Sequence, residues 1–263
     1  MKINKIAVLG AGNMGGAIAL GLQKGKLIPA TNITISDVSE ITLNKFRSIS
    51  SDWKLTTSNK DAIEGADIII IAVKPWLVET IADEIEKKID YKKQILISIA
   101  AGVEIEKLKK LFDKEASIFR IIPNTAVEVL ESVSSIAFYN ANDEQVQLVK
   151  TIFDELGKTF VVNESQLNAY MSLSSCGIAY AFRYIRAATE GGVEMGIYPN
   201  IAKEVVMQTL KGAILLLEAN QSHPEVEIDK VTTPGGITIK GLNEMEANGF
   251  SNSVIKGLKK SNV

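Results

Sequence analysis

The sequence is poor in the residues that most often carry reactive chemistry. Its 263 residues include one cysteine and one histidine. A single cysteine makes neither an intramolecular disulfide nor a thiolate cluster, and a single histidine leaves a zinc or iron centre short of ligands, so no metal site is expected. An excess of charge of one sign is also missing. The 29 Lys+Arg face 31 Asp+Glu, a formal net charge of -2, and no global basic field argues for nucleic acid or an anionic membrane as a partner. No apolar run approaches the roughly 20 residues needed to cross a bilayer. The longest, Ala66 to Val73, has the length of a strand. Residues 1–9 resemble a short secretory leader but run straight into glycines with a better use, so the expected location is cytoplasmic.

What is present is a change of period along the chain. Six short runs rich in β-branched residues read as strands: Lys5–Leu9, Asn32–Ser36, Ile68–Val73, Gln94–Ser98, Ser117–Ile122 and Ser135–Phe138. The first five are apolar on both faces, which suits a parallel sheet covered by helices. Met14–Gly25, Leu77–Lys88 and Glu104–Phe112 between them carry apolar residues at helical spacing. After Thr159–Val162 the strand signal fades, and Gln166–Glu190, Pro199–Glu218 and Asn243–Lys260 read as helices. The expectation is an α/β fold with two domains, residues 1–164 and residues 165–263, the second all-helical. Ile178–Phe182 and Ala213–Leu217 are apolar nearly all round. A helical domain of roughly 100 residues rarely buries such segments alone. Either residues 166–220 build an intimate homodimer, or the surplus packs against the first domain.

Gly10-Ala11-Gly12-Asn13-Met14-Gly15 fits G-x-G-x-x-G and opens from an expected strand into an expected helix. Gly10 can make the tight turn, Gly12 leaves room for a pyrophosphate, and Gly15 lets helix and strand approach. The first turn at Asn13 and Met14 then offers free N–H groups and a positive dipole end to phosphate. This points to a Rossmann-type dinucleotide-binding domain. The second strand ends at Ser36-Asp37, 22 residues past Gly15. A carboxylate there accepts from the ribose hydroxyls and repels a 2′-phosphate, which favours NADH over NADPH; alternatively, Asp37 simply caps the next helix. The chain has four arginines, at 47, 120, 183 and 186, and none follows Asp37 directly, although Ser36, Ser39 and Lys45 can still serve a 2′-phosphate. Val73-Lys74-Pro75, Ala100-Ala101-Gly102 and Pro123-Asn124-Thr125 follow successive strands at the carboxyl edge of the sheet, where ligands of open sheets bind. Each taken singly is also an ordinary turn.

A second glycine loop, Thr232-Thr233-Pro234-Gly235-Gly236-Ile237-Thr238, lies between helical segments. Its amides can hold a carboxylate and its threonines add hydroxyls; a hydroxyl-capped turn is the plainer reading. His223 reads as a solvated residue at a helix end, and Cys176 as a small buried side chain.

With these segments in view the chain resembles pyrroline-5-carboxylate reductases along essentially its whole length. The resemblance rests on Gly10–Gly15, Ala72–Pro75, Ala100–Gly102, Pro123–Thr125, Ala179–Phe182, Glu190–Gly196 and Thr233–Thr238, the last reading on through Glu244 and Gly249-Phe250. It implies a helical dimerisation domain, often a ring of dimers forming a decamer, and reduction of 1-pyrroline-5-carboxylate to L-proline by NADPH or NADH. It places Asn59 near the cofactor ribose, frames the ribose and nicotinamide with Lys74-Pro75, Ala101-Gly102 and Asn124, and assigns the substrate carboxylate to the Gly235-Gly236 loop beside Thr233. Thr238 resembles the hydroxyl that meets the ring nitrogen and is the one catalytic candidate. Three departures stand out. Ala126 replaces a usual proline, and Val38 stands where an arginine usually follows the second strand. In place of Ser-Gly-Ser-Gly-Pro the chain reads Ser174-Ser175-Cys176-Gly177-Ile178, which puts Cys176 on the substrate side. A reductase of a related cyclic imine, a hydroxyacid dehydrogenase and a catalytically weak dinucleotide-binding scaffold are the alternatives; the dehydrogenase would want a lysine or histidine within Gln166–Tyr184, and neither occurs there.

Overall fold

The computed structural model describes residues 3–262, which form two compact units, one up to Ser175 and one from Cys176. The first is an eight-stranded sheet in the order β3-β2-β1-β4-β5-β6-β7-β8. Its strands are β1 (Ile6–Leu9), β2 (Ile33–Ser36), β3 (Lys54–Thr56), β4 (Ile68–Ile71), β5 (Ile95–Ser98), β6 (Ser117–Ile122), β7 (Ser132–Tyr139) and β8 (Gly157–Val161). From β3 to β6 every pairing is parallel; β7 runs antiparallel to β6, and β8 runs parallel to β7. The chain builds β1 to β3 outward in one direction and then returns to lay β4 on the other side of β1. That reversal leaves a crevice at the carboxyl ends of β1 and β4.

The strands are apolar on both faces because both faces are covered. Ile6 and Val8 of β1, with Ile68 and Ile70 of β4, face a core layer that includes Ile18 and Leu22 of α1 (Asn13–Lys24), Leu43 of α2 (Glu40–Arg47) and Phe153. Ala7, Leu9, Ile69 and Ile71 face the opposite layer. That layer holds residues of α3 (Asn59–Ile63), α4 (Val78–Ile85) and α5 (Ile105–Leu111). Each fully buried isoleucine contributes about 1.5–3 kcal/mol relative to exposure, and in these strands alternate residues supply both layers. The remaining helix of the sheet region, α6 (Asp143–Asp154), starts with a reciprocal cap between Asn142 and Gln145.

Several expectations needed correction. β3, short and with partly exposed residues, carries no long apolar run and was not anticipated. The single helix expected over 166–190 is instead α7 (Leu167–Met171), a π-helical turn at Ser172–Cys176, and α8 (Gly177–Glu194). Asn243–Lys260 is two helices, α11 (Ile237–Ala247) and α12 (Phe250–Ser261), because Gly249 adopts a left-handed φ of 83° between them. α9 (Pro199–Asn220) carries Pro199 at its start as expected. His223 does not end a helix: it precedes α10 (Pro224–Lys230), where its Nδ1 accepts from the Glu225 amide at 3.3 Å.

The second unit has almost no interior of its own. Among α8 to α12 only Gly192 and Ala202 are buried. They mark the crossing of α8 and α9, where a Cβ on Gly192 would lie 2.9 Å from the Ala202 Cβ. By contrast Phe182, Ile214 and Leu216 are more than half exposed. No helix among the described residues is long and apolar enough to cross a membrane.

Candidate functional site

The crevice at the carboxyl edge of the sheet opens into a cleft of about 590 Å³. Its walls come from the ends of five strands and the turn before the second unit. The glycine loop forms one end. Gly10 has a left-handed φ of 98°, and its N–H donates to the Ser36 carbonyl at 2.8 Å, tying the end of β1 to the end of β2. A Cβ on Gly15 would lie 2.0 Å from the Gly10 carbonyl oxygen and 2.8 Å from the Ala72 side chain, so α1 sits against β1 and β4 at a distance only glycine allows. Gly12 is the opposite case. It is the residue that opens α1, and a Cβ there would meet nothing within 4 Å.

No side chain caps the N-terminus of α1, and its first turn holds no acidic residue. The unpaired amides of that turn are the donors a phosphate needs. A glycine open to the cleft, uncapped amides and a positive dipole end together fit a pyrophosphate. Asp37 stands beside this cradle. One carboxylate oxygen accepts from the Ala11 amide at 2.9 Å, and the other accepts from Ser39 N–H, also at 2.9 Å. Asp37 therefore does not cap α2; Ser39 does, accepting from the Thr42 amide.

Of the expected cofactor residues, Gly10, Gly12, Asn13, Met14, Asp37, Val73, Lys74, Pro75, Ala100 and Ala101 line the cleft together. The others do not form its wall. Gly15 lies beneath the loop as packing. Ser36 is fully buried and its hydroxyl donates to the Asn59 side-chain oxygen at 2.6 Å, while the Asn59 amide nitrogen donates to Glu84 at 2.7 Å. Both polar ends of Asn59 are thus engaged away from the cleft wall. Gly102 turns the chain with φ 73° one residue beyond Ala101. Asn124 is buried and spends its side-chain oxygen on the Ala126 amide at 3.1 Å, opening a short 3-10 helix. That cap stiffens the turn in which Ala126 replaces the usual proline.

Ala72 and Pro123, both within motifs read from the sequence, also line the cleft, and Leu77, Ile99, Ile122, Met171 and Ser175 complete the wall without having been anticipated. Leu77, Ile99 and Ile122 adjoin the motifs and follow once strand ends are known. Met171 and Ser175 belong to α7 and the π-helical turn, and no strand-end rule points to them. The Ser175 hydroxyl donates to the Pro123 carbonyl at 2.7 Å, which draws that turn onto the end of β6.

The second glycine loop lies in the helical unit. Gly235 has a φ of 70°, Gly236 precedes α11 with no side-chain cap, and the Gly236 amide donates to the Thr233 carbonyl at 2.9 Å. A Cβ on Gly236 would strike the Thr233 hydroxyl at 2.6 Å. Thr238 is the second residue of α11 and, like Thr233, is exposed; Cys176 is half-buried and its thiol is free. The amides opening α11 are thus presented to solvent without a partner side chain.

The comparisons agree with this architecture. Residues 164–262 match the family model "Pyrroline-5-carboxylate reductase dimerisation", and residues 5–102 match "NADP oxidoreductase coenzyme F420-dependent". Pyrroline-5-carboxylate reductase 1 of Dictyostelium discoideum is 38% identical over 267 residues, spanning 97% of this chain and 48% of that protein. The chain therefore covers about half the length of that relative. Pyrroline-5-carboxylate reductase 2 of the same organism is 34% identical, over 98% of this chain and 91% of that protein. The crystal structure of Plasmodium falciparum pyrroline carboxylate reductase with NADP bound superposes with a TM-score of 0.90 at 27% identity, covering 100% of this chain and 97% of that one. A cleft at the switch point that fits a dinucleotide, a helical unit with almost no interior and a relative 34% identical over 91% of its own length place this chain in the pyrroline-5-carboxylate reductase family.

Proposed function

We propose that this chain reduces the C=N bond of 1-pyrroline-5-carboxylate to L-proline with NADH or NADPH. The observation that carries the reading is the cradle at Gly12 and the uncapped start of α1, set at the switch point of a chain whose relatives over most of its length are named for this reaction. The Plasmodium falciparum relative, solved with NADP bound, supports a nicotinamide dinucleotide as the cofactor. When bound, the reduced nicotinamide supplies hydride to the imine carbon.

The protein's own share is orientation. Gly10, Gly12 and the amides of Asn13 and Met14 hold the pyrophosphate. Asp37 receives the adenosine ribose, and Val73–Pro75 with Ala100-Ala101 bound the remainder, small residues there letting a flat ring lie against backbone. In the helical unit the amides after Gly235 hold the substrate carboxylate, with Thr233 and Cys176 beside it. Thr238 holds the ring nitrogen, which takes up the proton that balances the hydride. An aliphatic hydroxyl is a poor acid without a partner, so the rate comes from pre-positioning and exclusion of water, worth up to about 7–11 kcal/mol for an ideally oriented pair.

Asp37 beside a phosphate cradle, followed by the exposed Val38 instead of a cation, favours NADH, because a 2′-phosphate would meet a carboxylate with no arginine directly after it. The helical unit supports a homodimer: Phe182, Ile214 and Leu216 remain exposed within the protomer, and the matching family model is one of dimerisation. Assembly of dimers into a decamer and a cytoplasmic location complete the reading. Oxidation of NADH and NADPH, followed in parallel with 1-pyrroline-5-carboxylate while proline is quantified, tests it. Stoichiometric proline with faster NADH turnover is expected. Cofactor binding without turnover would show that the altered 174–178 segment had ended catalysis or changed the substrate.

A further inference from the structure

The two ends of the cleft are chemically different. One is the phosphate cradle at Gly12 with the Asp37 carboxylate. The other is bounded by Ile99–Ala101, Ile122-Pro123, Met171 and Ser175. A dinucleotide laid across a switch point puts its pyrophosphate on the glycine loop and its adenosine ribose on the acidic residue after β2. Its nicotinamide then falls at the far end, beside Ser175. This assignment rests on the dinucleotide reading above.

Ser175 stands where the resembled family pattern has glycine, so its hydroxyl is an addition to that pattern. The π-helical turn brings it to the cleft wall, as such one-turn insertions often do at functional sites. A serine hydroxyl has one proton and two lone pairs, and here the proton is donated to the Pro123 carbonyl. Toward the cleft Ser175 is therefore an acceptor only. The neighbouring wall, Ile99, Ala100, Ala101 and Ile122, is apolar. Among the groups on a nicotinamide ring, the carboxamide N–H₂ is the donor that an acceptor can meet.

We propose that Ser175 is a specificity-determining residue of the cofactor cleft, its hydroxyl accepting a hydrogen bond from the nicotinamide carboxamide. The bond selects for the amide at that ring position and fixes which way the ring faces. Binding calorimetry tests this with three probes: NADH, its reduced 3-acetylpyridine analogue, in which a methyl replaces the amide nitrogen, and ADP-ribose, which lacks the ring. One neutral hydrogen bond corresponds to roughly 5-fold in affinity. The wild type should bind NADH about that much more tightly than the acetylpyridine analogue. Ser175→Ala and Ser175→Gly should each bring the ratio near 1 while ADP-ribose affinity stays unchanged, which also reports that the variant is folded. A ratio near 1 in the wild type, or an undiminished ratio in both variants, overturns the proposal while leaving the cleft assignment intact. Failure of both NADH and ADP-ribose to bind the wild type overturns the cleft assignment and the proposal with it.

Discussion

Gly12 and Gly15 lie three residues apart in one loop, and the structure gives them opposite duties. A methyl on Gly15 would sit 2.0 Å from the Gly10 carbonyl oxygen and 2.8 Å from the Ala72 Cβ. Neither neighbour is the far end of a flexible side chain, so α1 has to lift from the sheet. Overpacking of this kind costs about 1–3 kcal/mol. For the unit of 175 residues that corresponds to a melting temperature lower by about 2–12 °C. A methyl on Gly12 meets nothing within 4 Å, and the φ of -67° there suits any residue. Only a cap preference is lost, roughly 0.5–1 kcal/mol. The methyl does occupy the space from which a phosphate would reach the amides of α1. Losing one charge-assisted bond of about 1.5–3 kcal/mol weakens NADH binding by roughly 10- to 100-fold.

Thermal unfolding with and without NADH separates the two. At NADH near 100 times the wild-type Kd, ligand binding adds about 2.7 kcal/mol, or about 5–11 °C. Gly12→Ala should keep nearly the wild-type melting temperature without ligand and lose about half or more of that increment. Gly15→Ala should melt lower in both conditions. The reasoning is refuted if Gly15→Ala melts with the wild type, or if Gly12→Ala retains the full increment.

Thr238→Ala should lower kcat/KM for the imine with little change in NADH affinity by calorimetry; equal activity would remove Thr238 from the mechanism. Val205→Asp, on an exposed apolar stretch of α9, should convert the dimer to monomer in sedimentation velocity, and an unchanged mass would show that α9 does not form the contact. Glu164 accepts from both the buried Arg120 guanidinium and the Ile105 amide, each at 2.8 Å. Breaking a fully buried pair costs about 3–5 kcal/mol; with the carboxylate a third exposed, Glu164→Ala should cost about 2 kcal/mol in denaturant unfolding, and no change in midpoint would show the pair to be immaterial. Hydrogen bonds from Lys230 and Ser222 lower the Glu227 carboxyl to about 2. A folded-state value below the unfolded one means the tie across α10 is fully present above the usual carboxylate range and is lost as pH falls toward 2. Titration of Glu227 by NMR at an ordinary carboxylate value would contradict this.

How much of this was legible beforehand varies with the kind of signal. β1, β2, β4, β5 and β6 were readable because a strand covered on both faces has no polar alternation, and its apolar run is visible locally. The glycine loop was readable because each glycine answers a backbone requirement: a left-handed φ at Gly10, open space at Gly12, close approach at Gly15. β3 escaped because its residues are partly exposed, and the π-helical turn because it interrupts an otherwise helical pattern without proline or a strong break. Asn59 illustrates the limit of carrying a role over by position. Its place in the sequence suggests the ribose, and its side chain is instead committed to Ser36 and Glu84.

Local sequence by itself determined the parallel part of the sheet, the dinucleotide loop with its carboxylate 22 residues on, and a helical half with more apolar surface than a small domain can bury. Periodicity and backbone chemistry act over a few residues, so the chain need not be folded for them to be read. Only the tertiary structure decided that Ser175 reaches the cleft, that Asp37 binds the Ala11 amide and leaves capping to Ser39, and that Ala72 sets the close approach of α1. Those outcomes join residues far apart in the chain, such as Asp37 with Ala11, 26 positions apart, and Ser175 with Pro123, 52 positions apart, through distances that depend on where whole strands and helices pack.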